Sequence, residues 1–183
     1  MTYYDLIESP VGTLFIGGSS EGVHRIDFLR GPRDLEACIA RLERDGGAPA
    51  SEDAAAAGRV ARQLAEYFAG ERETFDLPLA PRGTDFQQAV WAVLRTIAHG
   101  RTSTYGAVAS AIGRPSATRA VGLAIGHNPI AIVVPCHRVI GAGGALTGYA
   151  GGLDRKRWLL RHERAEVSAT AQAAFAHDLR EVS

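Results

Sequence analysis

Ile130-Ala131-Ile132-Val133-Val134-Pro135-Cys136-His137-Arg138-Val139-Ile140 is the stretch from which the rest of the chain can be ordered. The apolar run Ile130 to Val134 fits a buried strand or extended segment. It leads through Pro135 into a cysteine followed by a histidine and an arginine. The thiolate is the nucleophilic form of cysteine, and cationic or basic neighbours favour it. A histidine within hydrogen-bond reach can take the thiol proton. Adjacent side chains on an extended backbone point to opposite faces, however. Cys136 and His137 can therefore cooperate only if the backbone turns there or a water bridges them. Pro135 and the glycines that follow suit such a turn. A buried structural cysteine is the ordinary alternative, because free Cys is commonly a small hydrophobe.

Upstream of this stretch the pattern is helical. Thr84-Asp85-Phe86-Gln87 matches a capping box, and Phe86, Val90, Val93, Leu94 and Ile97 make one apolar face, with Gly100 ending the helix. A short helix follows over about Tyr105 to Ile112. Gly113-Arg114-Pro115 then turns the chain, and Ser116 can cap a second helix running to Ile125 or Gly126. In a helix-turn-helix the second helix contacts duplex DNA, which would put Arg119, near its start, at the nucleic acid. Such helix pairs also occur in proteins that never meet DNA. Downstream, Asp154 can cap a helix carrying Trp158, Leu159 and Leu160.

The first half reads differently. Tyr3 to Glu8 and Thr13 to Gly17 flank the turn Ser9-Pro10-Val11-Gly12, and Gly22 to Leu29 alternates apolar and polar residues, so three strands are expected. Leu35 to Arg44 reads as a helix, residues 48–57 as a small, acidic surface loop, and Val60, Leu64, Tyr67 and Phe68 as one face of a second helix stopping at Gly70. Asp76 to Pro81 looks like an extended linker. The expected organisation is α+β. A small antiparallel-sheet-plus-helix domain spans residues 1–80, and a mostly helical domain with a helix-turn-helix and a buried Pro-Cys-His-Arg segment spans 81–165. An Ala-rich tail, compatible with helix, covers 166–183.

The net charge of zero hides an asymmetry. Residues 1–80 carry eight arginines and no lysine against fourteen acids, whereas residues 81–165 carry eleven basic residues against three acids, a net of +8. The basic half suits a polyanionic partner. Two cysteines, Cys38 and Cys136, make neither a disulfide framework nor a four-cysteine zinc site. No basic-then-apolar leader and no run of about 18 apolar residues is visible, so a reducing, cytoplasmic setting without membrane contact is expected. Cys38, Trp91 and Trp158 read as packing residues.

The stretch Ile132 to Ile140 resembles the active-site signature of the O6-alkylguanine-DNA alkyltransferases. The resemblance continues through Tyr105-Gly106, Arg119-Ala120-Val121-Gly122, Gly126-His127-Asn128-Pro129, Gly148-Tyr149, Gly151-Gly152, Lys156, Trp158-Leu159-Leu160 and His162-Glu163, in unbroken register over about residues 84–163. It implies a ribonuclease H-like N-terminal domain ahead of the catalytic one, and repair of double-stranded DNA carrying alkylated guanine by a monomer. Cys136 is then the alkyl acceptor, His137 the base that deprotonates it through a bound water, Glu163 the carboxylate orienting His137, and Asn128 the tie between recognition helix and active-site segment. Arg119 would enter the base stack in place of the extruded nucleotide, with Ala120 and Gly122 beside it, and Tyr105 would crowd the backbone phosphate. Tyr149, Pro135, Ala150 and Val139 would surround the guanine, Tyr149 donating a hydrogen bond and the carbonyls of Cys136 and Val139 reading the exocyclic amine.

Transfer from oxygen to a thiolate needs no metal or organic cofactor, and none is expected. The thioether product is stable, so each molecule should act once. Ala150 stands where some relatives have a hydroxyl residue. The zinc site of some relatives' N-terminal domains needs more cysteine and histidine than residues 1–80 hold. Two other readings stay open on the sequence alone: a lesion binder that transfers nothing, and a thiol hydrolase that turns over on acyl substrates.

Overall fold

The structure, a computed structural model, describes residues 1–165; the tail 166–183 lies outside the described residues. Period-two alternation near the N-terminus yields β1 (Thr2–Ile7), β2 (Leu14–Ser19) and β3 (Gly22–Phe28), an antiparallel meander in which Leu14 sits opposite both Ile7 and Phe28. Gly12, at a φ of 97°, supplies the left-handed residue of the first turn, and its N–H donates to Ser9 O at 3.0 Å. Helix α1 (Pro32–Gly46) begins on a proline whose missing N–H costs nothing there, and ends at Gly47 with φ 68°.

The sequence reading has residues 48–57 as a surface loop, and the structure corrects it. Ala50–Glu52 forms β4, paired in parallel with β1, so the sheet runs β3-β2-β1-β4. Asp53 then caps α2 (Ala54–Phe68), its carboxylate accepting from the N–H groups of Ala55 and Ala56 at 3.0 Å each. A three-residue edge strand is too short to display alternation. The cap, an aspartate just before an alanine run, is a sequence signal that the loop reading passed over. Both helices pack on the sheet. Phe15, Cys38 and Leu42 form a buried cluster, Tyr4 stacks on Phe15 with ring centroids 5.5 Å apart, and α2 buries Val60, Leu64 and Tyr67.

Two later segments add to β3. Leu79 bridges to Val23, and the fully buried His24 bonds Ala80 O through Nδ1 and Ser19 Oγ through Nε2, both at 2.8 Å. Ile26 donates to Pro129 O at 2.9 Å and accepts from Ala131 N–H at 3.0 Å. Pro129–Val133 therefore belongs to the same compact unit as Met1–Thr84; Asp85–Asn128 and the residues from Val134 make the other.

In that second unit α3 (Asp85–Leu94) starts directly after Thr84 and buries Val90, Trp91 and Leu94. It ends at Leu94, short of Ile97, whose N–H closes a turn onto Leu94 O at 3.1 Å. A two-residue strand β5 (Ser103–Thr104) precedes α4 (Tyr105–Ala111), and Thr104 caps that helix by accepting Ala107 N–H at 3.1 Å. Gly113 at φ 71° ends α4's turn.

Ser116 does not cap the next helix. Pro115–Ala117 forms a single 3-10 turn with Ser116 inside it, and α5 (Thr118–Gly126) starts without a side-chain cap. Proline presets the φ of such a turn, so the chain coils one residue before the serine. The helices α3, α4 and α5 pack on one another around Val121, Ala124 and Ile125, and Trp91 satisfies its buried indole N–H on Ala124 O at 2.9 Å. Truncating Trp91 to alanine would cost about 3–5 kcal/mol. Strand β6 (Val139–Ile140) pairs in parallel with β5, and α6 (Leu153–His162) starts behind Gly152, which places the expected cap Asp154 in the first turn instead. An acid there still complements the helix dipole. Among the described residues no helix is long and apolar enough to cross a membrane.

Candidate active site

The apolar run ahead of Cys136 is not a strand. Only Ile130 bridges to a strand; the chain then turns, with Ile132 at φ 71°. The N–H of Val133 closes on Ala131 O and that of Cys136 on Val134 O, both at 2.8 Å. A β-branched residue in the left-handed region carries strain of about 1–3 kcal/mol. Hydrophobic periodicity cannot separate a buried coil from a buried strand, and of the strand or extended segment expected here the structure keeps the bridge at Ile130 and turns at Ile132. After Pro135 (φ −81°, ψ 64°), Cys136–Arg138 makes one 3-10 turn, and the N–H of Val139 returns to Cys136 O. The turn that a joint role for Cys136 and His137 requires is therefore present.

His137 and Glu163 are fully buried, and Nε2 of His137 lies 2.7 Å from Glu163 Oε1. A carboxylate can only accept, so Nε2 carries the hydrogen and Nδ1 keeps its lone pair. Nδ1 is buried without a hydrogen-bond partner. Burial drives the His137 pKa below its ordinary value, against the pull of Glu163, so the ring is neutral at neutral pH and free to accept a proton. Burial alone would raise the Glu163 pKa, but His137 and Arg138 together hold it well below the usual carboxylate range.

Arg138 plays a different part from the one its neighbour position suggests. Its guanidinium does not serve Cys136. Nε donates to Glu163 Oε2 at 2.8 Å, Nη2 to Glu163 Oε1 at 3.0 Å and Nη1 to Ile97 O at 2.6 Å. This fork locks the carboxylate that holds His137. Sequence adjacency does not show which way a side chain leaves a 3-10 turn, and the bond to Glu163 spans 25 residues of chain.

Cys136 is 7% exposed. Asn128 reaches it directly: Nδ2 donates to Val134 O at 2.8 Å and to Cys136 Sγ at 3.1 Å. Burial pushes the thiol pKa up, while the Asn128 donor, the Lys156 charge and the Tyr149 hydroxyl work to lower it. Val139 O accepts from Lys156 Nζ at 2.6 Å, and Cys136 O from Val139 N–H. Each of these two carbonyls keeps a second lone pair. Lys156 and the donor from Asn128 to sulfur are the contributions that sequence reasoning missed.

The remaining candidates, apart from Pro135, fall on α4, α5 and the glycine-rich segment before α6. Arg119 and Ala120 are exposed on the first turn of α5, whereas Gly122 is half-buried against the ring of Tyr105. Tyr105, the first residue of α4, accepts from Thr147 Oγ1 at 3.4 Å. Pairing of Thr104 with Ile140 fixes Tyr105 close to the Cys136 segment. Tyr149 is half-buried with a buried hydroxyl, Ala150 is exposed, and Pro135 is buried ahead of the 3-10 turn. Among the described residues no cluster of three or more His, Cys, Asp or Glu side chains could hold a metal ion.

Residues 85–165 match the family described as "6-O-methylguanine DNA methyltransferase, DNA binding domain", and residues 2–81 match that family's ribonuclease-like domain. The chain belongs to the 6-O-methylguanine DNA methyltransferase family. A methylated-DNA–protein-cysteine methyltransferase of Methanosarcina barkeri is 50% identical over 88% of this chain and 96% of its own. The protein of the same description from Mycobacterium bovis is 48% identical over 92% of this chain and 96% of its own. The Mycobacterium tuberculosis OGT solved in complex with DNA superposes with a TM-score of 0.77 at 46% identity, covering 91% of this chain and 96% of that one. The M. tuberculosis O6-methylguanine methyltransferase gives a TM-score of 0.75 at 46% identity, over 92% and 96%. These matches bear out the α+β fold, with a sheet domain of the family's ribonuclease-like type followed by a helical DNA-binding domain.

Proposed function

We propose that the chain repairs double-stranded DNA by moving the alkyl group of an O6-alkylguanine, once per molecule, onto Cys136 Sγ. Family membership carries the reaction class: DNA repair by alkyl transfer to a cysteine of the protein. The observation that supports Cys136 as the acceptor is the Asn128 donor 3.1 Å from Cys136 Sγ, because an amide N–H aimed at sulfur favours thiolate over thiol.

In this reading His137 Nδ1 takes the thiol proton through one bridging water, and Glu163 and Arg138 hold the ring in the tautomer that makes this possible. The thiolate attacks the alkyl carbon, the carbon–oxygen bond breaks, and its electron pair stays on the guanine oxygen. The proton given up by Cys136 ends on the guanine, with Tyr149 donating a hydrogen bond as charge develops. The base must leave the stack first, at a cost of a few kcal/mol. Arg119, exposed on α5, fills the gap, with Ala120 and Gly122 beside it, and Tyr105 crowds the phosphate. Pro135, Val139 and Ala150 line the base site. O4-alkylthymine offers the same alkyl–oxygen bond and is a second substrate of this scheme. One copy carries every residue named, so the reading takes a monomer, and a lasting thiol fits a reducing compartment such as the cytoplasm.

Incubation with a duplex containing O6-methylguanine, followed by intact mass and peptide mapping, tests this. The expected result is a gain of one CH2 on Cys136, stoichiometric and without turnover, and loss of the gain in Cys136→Ala with lesion binding retained. Alkylation elsewhere, or none, overturns the reading.

A further inference from the structure

Lys156 is 0% exposed, and among the described residues no carboxylate pairs with it. Its ammonium instead donates to two backbone carbonyls, Val139 O at 2.6 Å and Thr147 O at 2.9 Å. A buried charge is costly unless it is compensated, and neutral carbonyls compensate it only in part. A lysine with a merely structural duty would be better served by a carboxylate or replaced by a neutral chain. Lys156 holds Val139 O, and the N–H of Val139 closes on Cys136 O, so the ammonium sits one 3-10 turn from Cys136, whose thiolate can supply the missing negative charge. The same positive charge disfavours protonation of His137, keeping the base neutral. Burial lowers the Lys156 pKa to about 8, so it remains mostly charged at neutral pH.

The two carbonyls also matter by position. Val139 directly follows the Cys136–Arg138 turn. Thr147 lies two residues before Tyr149, in a segment rich in glycine that contains only one 3-10 turn, Ala142–Gly144, with Gly143 and Gly144 at positive φ. Glycine-rich backbone is expensive to order, so an outside anchor decides where such a segment sits. Lys156 comes from the second turn of α6, a helix that packs on the Cys136–Arg138 turn.

We propose that Lys156 is a positioning residue of the alkyl transfer: its buried ammonium clasps the Val139 and Thr147 carbonyls, setting the spacing between the Cys136 turn and the Tyr149 segment, and supplies the counter-charge of the Cys136 thiolate. The inference rests on Cys136 being the acceptor. The titratable and charged groups it acts among are Cys136, Tyr149, His137, Glu163 and Arg138.

The test uses full-length wild type, Lys156→Met, which removes charge and clasp, and Lys156→Gln, which keeps two N–H donors without charge. Two readouts are taken: the pH profile of Cys136 carbamidomethylation by iodoacetamide without DNA, and the methyl-transfer rate at saturating lesion duplex beside the half-saturating duplex concentration. In Lys156→Met the carbamidomethylation profile moves to higher pH by about one unit and neutral-pH reactivity falls about tenfold, the effect of removing one favourable charge. The saturated transfer rate falls at least as far while half-saturation stays within about twofold, and Lys156→Gln recovers the clasp but not the profile. An unchanged profile and rate in Lys156→Met overturn the inference, as does failure of both variants to fold, which would assign Lys156 to stability alone. Failure of wild type to gain a methyl on Cys136 instead overturns the underlying reading, so the two failures are distinguishable.

Discussion

His137 donates through Nε2 to Glu163 Oε1 across 2.7 Å, with both side chains fully buried. That bond decides which ring nitrogen is left to act as a base, and Arg138 holds the carboxylate from its other side. Glu163→Gln keeps the shape but can present an amide N–H to His137 and leaves the Arg138 guanidinium without a counter-charge. Breaking one side of a buried charge pair costs about 3–5 kcal/mol, and loss of an oriented base costs about 10²-fold or more in rate. A fall in the urea midpoint together with that fall in the single-turnover rate is expected.

The protonation of His137 links pH to stability. Its folded pKa is lowered, chiefly by burial, so below about 6.5 the unfolded chain binds a proton that the folded chain refuses. The unfolded state then binds more protons, and stability rises with pH between the depressed folded value and 6.5. Glu163, depressed by His137 and Arg138, has the same sign at lower pH, between its folded value and about 4.5. Urea midpoints should therefore fall steadily from pH 7 to pH 5, and His137→Gln should flatten that slope. A midpoint independent of pH in wild type would mean that His137 is not held neutral.

Legibility from sequence divides along physical lines. The three antiparallel strands and the two helices of residues 1–84 follow from periodicity and turn residues, as do α3 to α6. Features governed by single backbone angles do not. The positive φ of Ile132 and the 3-10 turn at Cys136 have no periodic signature, and the apolar run Ile130 to Val134 fits a strand or an extended segment equally well. The chemistry was legible as a set of matching positions, whereas its wiring was not. Arg138 belongs to Glu163, Asn128 donates to sulfur, and Lys156 answers to carbonyls from two other segments. Each such pairing is a long-range product of folding that residue order alone cannot specify.

Arg119 supports a prediction of the opposite kind from Glu163. It is exposed on the first turn of α5. Arg119→Ala should leave the thermal midpoint within about 1 °C, since surface changes usually fall within ±0.5 kcal/mol. If its role is to occupy the gap left by a flipped base, transfer from duplex should slow by about tenfold or more, because unstacking costs a few kcal/mol. Transfer from the free base O6-methylguanine, which needs no flipping, should be unchanged. Equal slowing on both substrates would remove Arg119 from the extrusion step.

Cys38 provides the internal contrast to Cys136. Both thiols are buried, but Cys38 sits among Phe15 and Leu42, and its pKa is pushed up to about 12, first by burial and then by the Asp27 charge. Burial raises the Cys136 pKa as well, but there Asn128, Lys156 and Tyr149 oppose it, so at pH 8 iodoacetamide should modify Cys136 first and leave Cys38 intact until the chain unfolds. The same shift has a thermodynamic consequence. Above the ordinary thiol value the unfolded chain releases a proton that folded Cys38 retains, so the folded state binds more protons and stability falls as pH rises from about 9 towards 12. Cys38→Ala should cost about 1 kcal/mol at pH 7 for the lost packing, yet show a shallower alkaline decline than wild type. If the two proteins decline in parallel between pH 9 and 11, Cys38 is not protonated in the fold, and the packing assigned to it fails with that result.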